Sequence, residues 1–160
     1  MRLTIAAVGR LKPGPERELF KTYVERLESV GRGHHIGPLG LIEILESKGR
    51  AAAARREDEA KRLLEKLGHP PYLIVLDEAG KALSSLDFAK LLRRRRDAGE
   101  AELAFVIGGA DGIGKPLVDR AKLQLALGPM TLSHGLARVV LAEQLYRAGT
   151  IIAGHPYHRA

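Results

Sequence analysis

The stretch YLIVLD, residues 72–77, indicates the fold class, because its apolar side chains do not alternate with polar ones. A strand with one face in water alternates, whereas a parallel strand covered on both faces is apolar throughout. The stretch AELAFVIGG, residues 101–109, has the same character. We therefore expect two buried strands of a parallel sheet at these positions.

Strands and helices alternate along the rest of the chain. That order is typical of an α/β fold with a mostly parallel sheet and helices on both faces. The sequence contains no internal repeat and no linker, so we expect a single domain over residues 1–160. The further predicted strands are 3–8, 41–45 and 123–127, and the predicted helices are 15–30, 51–67, 84–96, a short one at Pro116, and 135–148.

The composition narrows the classes of function. Lys and Arg number 26 against 19 Asp and Glu, a formal net charge of +7. This favours a polyanionic partner such as RNA, or else a basic enzyme with a small anionic substrate. Without cysteine there is neither a disulfide framework nor a thiolate site. No apolar run is long enough to span a membrane, and the N-terminus is typical of a first strand, so we expect a cytoplasmic protein.

One motif suggests a nucleoside triphosphatase. GADGIGKP, residues 109–116, matches the G-x-x-x-x-G-K loop, and LIVLDE, 73–78, is similar to the acidic strand that holds magnesium in such enzymes. However, Pro116 stands where a Ser or Thr hydroxyl would bind magnesium, and the acidic strand precedes the loop instead of following it. These features argue against triphosphate hydrolysis. The other interpretation of the motif is that its glycines let a loop turn sharply and let a ligand approach the backbone.

Three stretches that follow predicted strands carry a resemblance to a known family. They are VLDEAG (75–80), FVIGGADGIG (105–114) and LALGPMTLSHGLARVVLAEQLYRA (125–148), and HPYHR (155–159) closes the set. Ligands of open α/β sheets bind beyond the carboxyl ends of the strands, where these stretches fall. In this order, and over the whole chain, they resemble the bacterial ribosomal RNA large subunit methyltransferase H family, which belongs to the SPOUT class of S-adenosylmethionine enzymes.

The resemblance implies a fold, an assembly and a reaction. The fold is an α/β knot, in which the C-terminal segment threads through a loop to make a trefoil knot, and the assembly is a homodimer. The reaction is methylation of N3 of a pseudouridine in 23S ribosomal RNA, with the large subunit or assembled ribosome as partner and no membrane. The competing hypothesis is a non-catalytic RNA-binding or ribosome-assembly module of the same fold.

The resemblance also implies which residues bind S-adenosylmethionine. Backbone groups can hydrogen-bond the edge of adenine while apolar side chains cover its faces, and glycines permit close approach. The alternative is a glycine-rich turn without a ligand. Ser133 departs from the family, whose members commonly have proline there, which puts the shape of the loop in doubt. The implied residues are Leu76, Gly108, Gly109, Gly128, Pro129, Met130, Thr131, Leu132 and Ser133.

Five residues are implied for the reacting centre: His134, Arg138, Arg147, Tyr157 and His158. N3 of pseudouridine is an imide N–H, so its proton must leave as the methyl group arrives. Histidine is the natural base near neutral pH, and arginine can stabilise a developing anion or hold a phosphate. Tyrosine can stack on an unstacked base.

The last predicted helix separates two of these residues. Arg138 lies one turn after His134, whereas Arg147 is nine residues beyond Arg138 and, at about 100° per residue, on the opposite face. Glu143, four residues before Arg147, is positioned to pair with it. Apolar residues surround nearly the whole helix, so we expect a core helix that also forms the dimer contact.

The C-terminal tail carries unusual chemistry for a chain end. We expect it to be ordered against the cofactor cleft, with Pro156 limiting fraying, or to complete the site across a dimer. Arg159 belongs to the same closing motif. Two alternatives stay open: a metal site of His134, His155 and His158, and a disordered basic tail. No cysteine or carboxylate cluster accompanies those histidines, so no metal is predicted.

Overall fold

Five strands form one sheet in the computed structural model, which describes residues 1–68 and 72–158. The strands lie in the order β2-β1-β4-β3-β5, and every pairing between neighbours is parallel. This confirms the α/β fold with a parallel sheet. The strands are β1 Arg2–Val8, β2 Leu39–Ile44, β3 Tyr72–Ala82, β4 Glu102–Ile107 and β5 Leu123–Ala126.

Helices cover both faces of the sheet, as predicted. The helices are α1 Pro15–Gly31, α2 Ala52–Leu67, α3 Ser85–Asp97, α4 Lys115–Arg120 and α5 His134–Ile152. Alternate residues of one strand point to opposite faces. Leu3 and Ile5 of β1 therefore join the core beneath α1, α3 and α5, while Ala6 and Val8 join the core beneath α2 and α4.

Helix α5 is buried on nearly all sides between the sheet, α1 and α3. It continues four residues past the predicted end, through Gly149. A β-carbon there would lie 3.1 Å from Cγ1 of Val30 and 3.2 Å from Cδ1 of Leu27, so the glycine lets α1 and α5 pack closely. The buried helix is confirmed, whereas the dimer contact and the trefoil knot stay predictions.

Other boundaries follow local chemistry. Ser84 caps α3, its Oγ accepting from the backbone N–H of Asp87 at 3.1 Å, as the sequence predicted. Strand β3 extends to Ala82, with an irregularity between Leu76 and Lys81 where it meets β5. Within the ranges described, no helix has both the length and the apolar character needed to cross a bilayer.

Candidate active site

A cleft of about 560 Å³ opens beyond the carboxyl ends of β3, β4 and β5. Its walls are the middle of β3, the segments that follow β4 and β5, and the first turn of α5, at the edge of the sheet where ligands bind in open α/β folds. Pro129 is the one predicted cofactor residue that does not line it. The predicted residues that do are Leu76, Gly108, Gly109, Gly128, Met130, Thr131, Leu132 and Ser133. Their role in holding a cofactor stays a prediction.

The segment after β4 forms a tight turn over residues 109–112, which begins and ends with glycine. The N–H of Gly112 donates to the carbonyl of Gly109 at 3.0 Å, and Gly112 has a φ of 92°, which favours glycine. A β-carbon at Gly108 would lie 2.7 Å from the carbonyl oxygen of Gly112. The glycine at 108 is therefore required for this turn, and the turn forms one wall of the cleft.

An ion pair that the sequence analysis missed clamps the same turn to α2. The guanidinium of Arg55 donates from Nε and Nη2 to the two carboxylate oxygens of Asp111, at 2.6 and 2.9 Å. Its Nη1 also donates to the carbonyl of Gly49 at 2.9 Å. Hydrogen bonds from Arg55 hold the pKa of Asp111 below its ordinary value. The two partners are 56 residues apart, and no local motif connects them.

Glu59 lies buried beneath this wall. Its Oε1 accepts from the backbone N–H of Ser47 at 2.8 Å, while its Oε2 has no partner among the described residues. A β-carbon at Gly109 would lie 3.0 Å from that Oε2. Glycine at 109 thus fits a tight contact between the turn and α2.

The segment after β5 is tied to β3 and to α5. The hydroxyl of Thr131 donates to the carboxylate of Glu78 at 2.7 Å. Ser133 caps α5, its Oγ accepting from the N–H of Leu136 at 3.2 Å. Serine at 133 therefore supplies a helix cap, which a proline side chain cannot do. Met130 is 79% exposed, so its side chain stands at the rim of the cleft.

The cleft is acidic although the chain is basic. Four carboxylates line it, those of Glu46, Asp77, Glu78 and Asp111, and no Lys or Arg of the described residues does. Such a cleft attracts a cation and repels a polyphosphate. Lys115, the basic residue of the G-x-x-x-x-G-K match, instead pairs with Asp119 at 2.7 Å. These observations argue further against a nucleoside triphosphatase.

His134 is the predicted reacting-centre residue that lines the cleft. It is the first residue of α5 and lies against Gly9, where a β-carbon would come within 3.1 Å of the imidazole Cε1. Glu46 Oε1 lies 3.6 Å from the same point. Glu46 follows β2 and was missed, because only the sheet brings the ends of β1 and β2 together.

Arg138 does not line the cleft in this structure, and its role at the reacting centre stays a prediction. It is fully buried and donates from Nη2 to the carbonyls of Val8 at 2.8 Å and Gly9 at 2.6 Å. Its Nη1 lies 3.4 Å from Oε1 of Glu43. Burial lowers the pKa of Arg138, although Glu43 and Glu16 oppose that change. In this structure the guanidinium holds the carboxyl end of β1.

Arg147, Tyr157 and His158 form a cluster around Glu143. Arg147 donates from Nη2 and Nε to Oε1 of Glu143, at 2.5 and 3.0 Å, which confirms the predicted pair. The hydroxyl of Tyr157 donates to the same oxygen at 3.1 Å, and its ring centroid lies 4.8 Å from the Arg147 guanidinium. His158 Nδ1 is 3.5 Å from Nη1 of Arg147.

This cluster lies away from the cleft, so the tail is not placed against the cleft within one chain. Arg147 lies thirteen positions after His134 on α5, about 20 Å at 1.5 Å per residue. His134 therefore cannot share a metal ion with His155 and His158 in one chain. Among residues 1–68 and 72–158 no group of three potential metal ligands occurs. Completion of the site across a dimer stays a prediction, and Arg159 lies outside the described residues.

Burial and the neighbouring Glu143 raise the pKa of Tyr157 to about 12. The hydrogen bonds that the Arg147 guanidinium donates to Glu143 raise the pKa of Arg147. Near neutral pH the phenol therefore keeps its proton and the guanidinium keeps its charge. In this cluster Tyr157 acts as a hydrogen-bond donor and not as a base.

Comparisons with known proteins find a matching family model and relatives that share about half of their residues with this chain. A family model described as a predicted SPOUT methyltransferase matches residues 1–158. Proteins named ribosomal RNA large subunit methyltransferase H are 51% identical in Xanthobacter autotrophicus and 49% identical in Brucella anthropi, each over 160 residues and the full length of both chains. The solved SpoU methyltransferase AviRb from Streptomyces viridochromogenes, in complex with AdoMet, is a distant likeness. It has a TM-score of 0.44 and 14% identity, over 91% of this chain and 57% of that one.

Proposed function

The chain belongs to the ribosomal RNA large subunit methyltransferase H family of SPOUT methyltransferases, and we propose that its cleft binds S-adenosylmethionine. The methyl acceptor in this proposal is N3 of a pseudouridine in 23S ribosomal RNA of the large subunit, in the cytoplasm. The observation that carries the proposal is the acidic, glycine-walled cleft at the carboxyl ends of β3, β4 and β5.

The residues of the cleft fit this cofactor in charge and shape. S-adenosylmethionine carries a sulfonium and an ammonium cation, and Glu46, Asp77 and Glu78 offer carboxylates to them. Glycine at 108 and 109 lets the turn pack directly against Gly112 and Glu59, and this packing sets the position of the backbone wall that would face adenine. Leu76 and Leu132 supply apolar contacts for its faces. When bound, the cofactor supplies an electrophilic methyl group.

The chain must also move the proton of N3–H. His134 lies in the cleft wall, and a neutral imidazole near pH 7 can accept a proton. His158 is the second candidate and would reach the acceptor base from the tail, across a dimer. Tyr157 is unsuited to this role because its phenol is protonated below about 12. Arg147 keeps its positive charge and, like His158, would reach the acceptor only across a dimer, where it could stabilise a developing imide anion.

Calorimetry with the purified full-length chain tests the cofactor proposal. We expect saturable binding of S-adenosylmethionine and none of ATP–magnesium, because the carboxylates of the cleft repel phosphates. Transfer of a radiolabelled methyl group to isolated large subunits or ribosomes, located by mass spectrometry of the modified RNA fragment, tests the acceptor. A chain that binds no S-adenosylmethionine yet binds ribosomes would favour the non-catalytic assembly module instead.

The pH dependence of methyl transfer identifies the proton acceptor. General bases typically contribute about 10²- to 10⁴-fold, so His134→Gln or His158→Gln should lower the rate by that much if the residue is the base. The variant lacking the base should also lose the rise in rate with pH that a general base produces. Tyr157→Phe should leave the profile unchanged around neutral pH, since the pKa of that phenol is about 12.

Tyr157→Phe is also the matched control, because it keeps the ring above Arg147 and removes only the hydroxyl that donates to Glu143. The comparison is made with saturating cofactor on whole ribosomes. If Tyr157→Phe alone removed the rise in rate, the assignment of a histidine as the base would be wrong.

A further inference from the structure

A second groove, of about 530 Å³, lies between α1 and the edge strand β2 on the face of the sheet that α1 covers. Its size is within the range of small-ligand sites. Apolar side chains form its inner surface and exposed cations form its rim. We call it the basic groove, and its lining residues are Arg10, Leu11, Arg17, Phe20, Lys21, Val24, Leu39, Leu41 and Glu43.

The three cations of the basic groove are exposed and uncompensated. Within the described ranges, Arg10, Arg17 and Lys21 take part in no ion pair and no side-chain hydrogen bond. Arg17 and Lys21 are four residues apart on α1, so their side chains lie next to each other on one face of the helix. An anion bound there would contact both cations.

Glu43 is the carboxylate among the lining residues, and its charge is already engaged. Its Oε1 accepts from the backbone N–H of Leu11 at 2.8 Å and lies 3.4 Å from the buried guanidinium of Arg138. It therefore does not neutralise the exposed cations at the rim. The basic groove presents net positive charge to its surroundings.

The basic groove adjoins the cleft. Arg10 directly follows Gly9, whose backbone lies against His134 in the cleft wall. Apart from Asp111, which Arg55 pairs, the cleft is lined by the carboxylates of Glu46, Asp77 and Glu78 and, among the described residues, by no cation, so it repels the phosphates of an RNA chain. A polyanionic substrate that enters the cleft needs its positive contacts beside the cleft, and the basic groove provides them.

We propose that the basic groove binds a single-stranded segment of ribosomal RNA next to the base that enters the cleft. Its phosphates contact Arg10, Arg17 and Lys21, and one unstacked base lies on the apolar surface near Leu41, with an arginine plane available for stacking. A duplex would leave this apolar surface unused, because its bases are stacked inside the helix. The inference rests on the proposed function, and it names the surface that recognises the RNA.

A salt titration with matched variants tests the proposal. The probe is a fluorescein-labelled oligouridine, and binding is followed by anisotropy at several salt concentrations. For single strands the slope of log affinity against log salt is about −0.7 per phosphate contact, so the variant R10Q/R17Q/K21Q should reduce the slope by about 2. At about 0.1 M salt its affinity should fall by at least roughly tenfold.

The matched control is K61Q/R120Q/K122Q, which removes three exposed cations from or beside α2 and α4, on the opposite face of the sheet. It should keep the wild-type slope and affinity. If both variants lost affinity for the oligouridine equally, net charge alone would explain the binding. If R10Q/R17Q/K21Q lost no affinity, RNA would not bind in the basic groove. Either result overturns the proposal. Sedimentation velocity tests whether the groove is instead a contact between two copies of the chain. A change in oligomeric state confined to R10Q/R17Q/K21Q would show such a contact and would also overturn the RNA-binding proposal.

Calorimetry with S-adenosylmethionine separates this inference from the proposed function. R10Q/R17Q/K21Q should bind the cofactor as the wild type does and methylate ribosomes with a raised KM. If the wild type bound the cofactor and methylated ribosomes while the groove variant matched it in every RNA measurement, the inference would fail and the proposed function would stand. If the wild type bound no cofactor, the proposed function would be wrong, and the inference that rests on it would lose its basis.

Discussion

Gly108→Ala is expected to lower the affinity for S-adenosylmethionine by roughly 5- to 150-fold while the sheet stays folded. The new β-carbon would lie 2.7 Å from the carbonyl oxygen of Gly112 and 3.0 Å from Cδ1 of Ile113. Forcing an extra carbon into a close-packed site costs about 1–3 kcal/mol, and here the turn must open to accept it. Because that turn is a wall of the cleft, the cost falls on cofactor binding. Calorimetry measures the affinity, and urea unfolding monitors the fold.

Gly33→Ala is the matched control for this change. Gly33 lies in the short 3₁₀ turn Arg32–His34, and a β-carbon there would meet nothing within 4 Å. This variant should bind S-adenosylmethionine as the wild type does. Wild-type affinity in Gly108→Ala would mean that the turn at residues 108–112 does not contact the cofactor.

Arg138→Met is expected to destabilise the protein by about 3–5 kcal/mol, the usual effect of removing one partner from a buried ionic network. The change removes the hydrogen bonds to the carbonyls of Val8 and Gly9 and leaves Glu43 without its cation. Equilibrium unfolding in urea measures the loss as a fall in the free energy of unfolding. Arg93→Met, on the exposed end of α3, is the control and should change stability by less than about 0.5 kcal/mol.

The same measurement distinguishes a positioning role from the catalytic role that the resemblance implied for Arg138. A positioning role predicts a large loss of stability, with methyl transfer impaired only in step with cofactor binding. A variant as stable as the wild type that binds the cofactor normally but transfers no methyl group would restore the catalytic interpretation. Arg138 holds the carbonyl of Gly9, and the α-carbon of Gly9 faces the His134 imidazole, so we expect loss of Arg138 to disturb His134 as well.

The sequence predicted the sheet well because its signals are local. The apolar runs 73–76 and 103–107 are typical of strands covered on both faces, and those strands are β3 and β4. The cap at Ser84 is equally local, since a serine and an aspartate three residues apart interact within one turn. Boundaries were less accurate where tertiary packing decides them, as at Gly149 inside α5.

The site was harder to predict because its contacts are long-range. Helical spacing placed Arg138 near His134, but it could not reveal that the carboxyl end of β1 covers that face of α5. The pairing of Arg55 with Asp111 and the approach of Glu46 to Gly9 join elements that are far apart in the sequence, so no local motif predicts these contacts. The pair Glu143–Arg147, four residues apart on one helix, is the part of the tail cluster that sequence reasoning could find.

The acidic lining of the cleft has a consequence for turnover. If the cleft holds S-adenosylmethionine as proposed, loss of the methyl group turns the cationic sulfonium into a neutral thioether, so the ligand then carries one positive charge fewer. Glu46, Asp77 and Glu78 would attract the spent ligand less than the fresh one without any movement of the protein. We therefore expect the electrostatics of the cleft to weaken product inhibition, and high salt should narrow the gap between the two affinities.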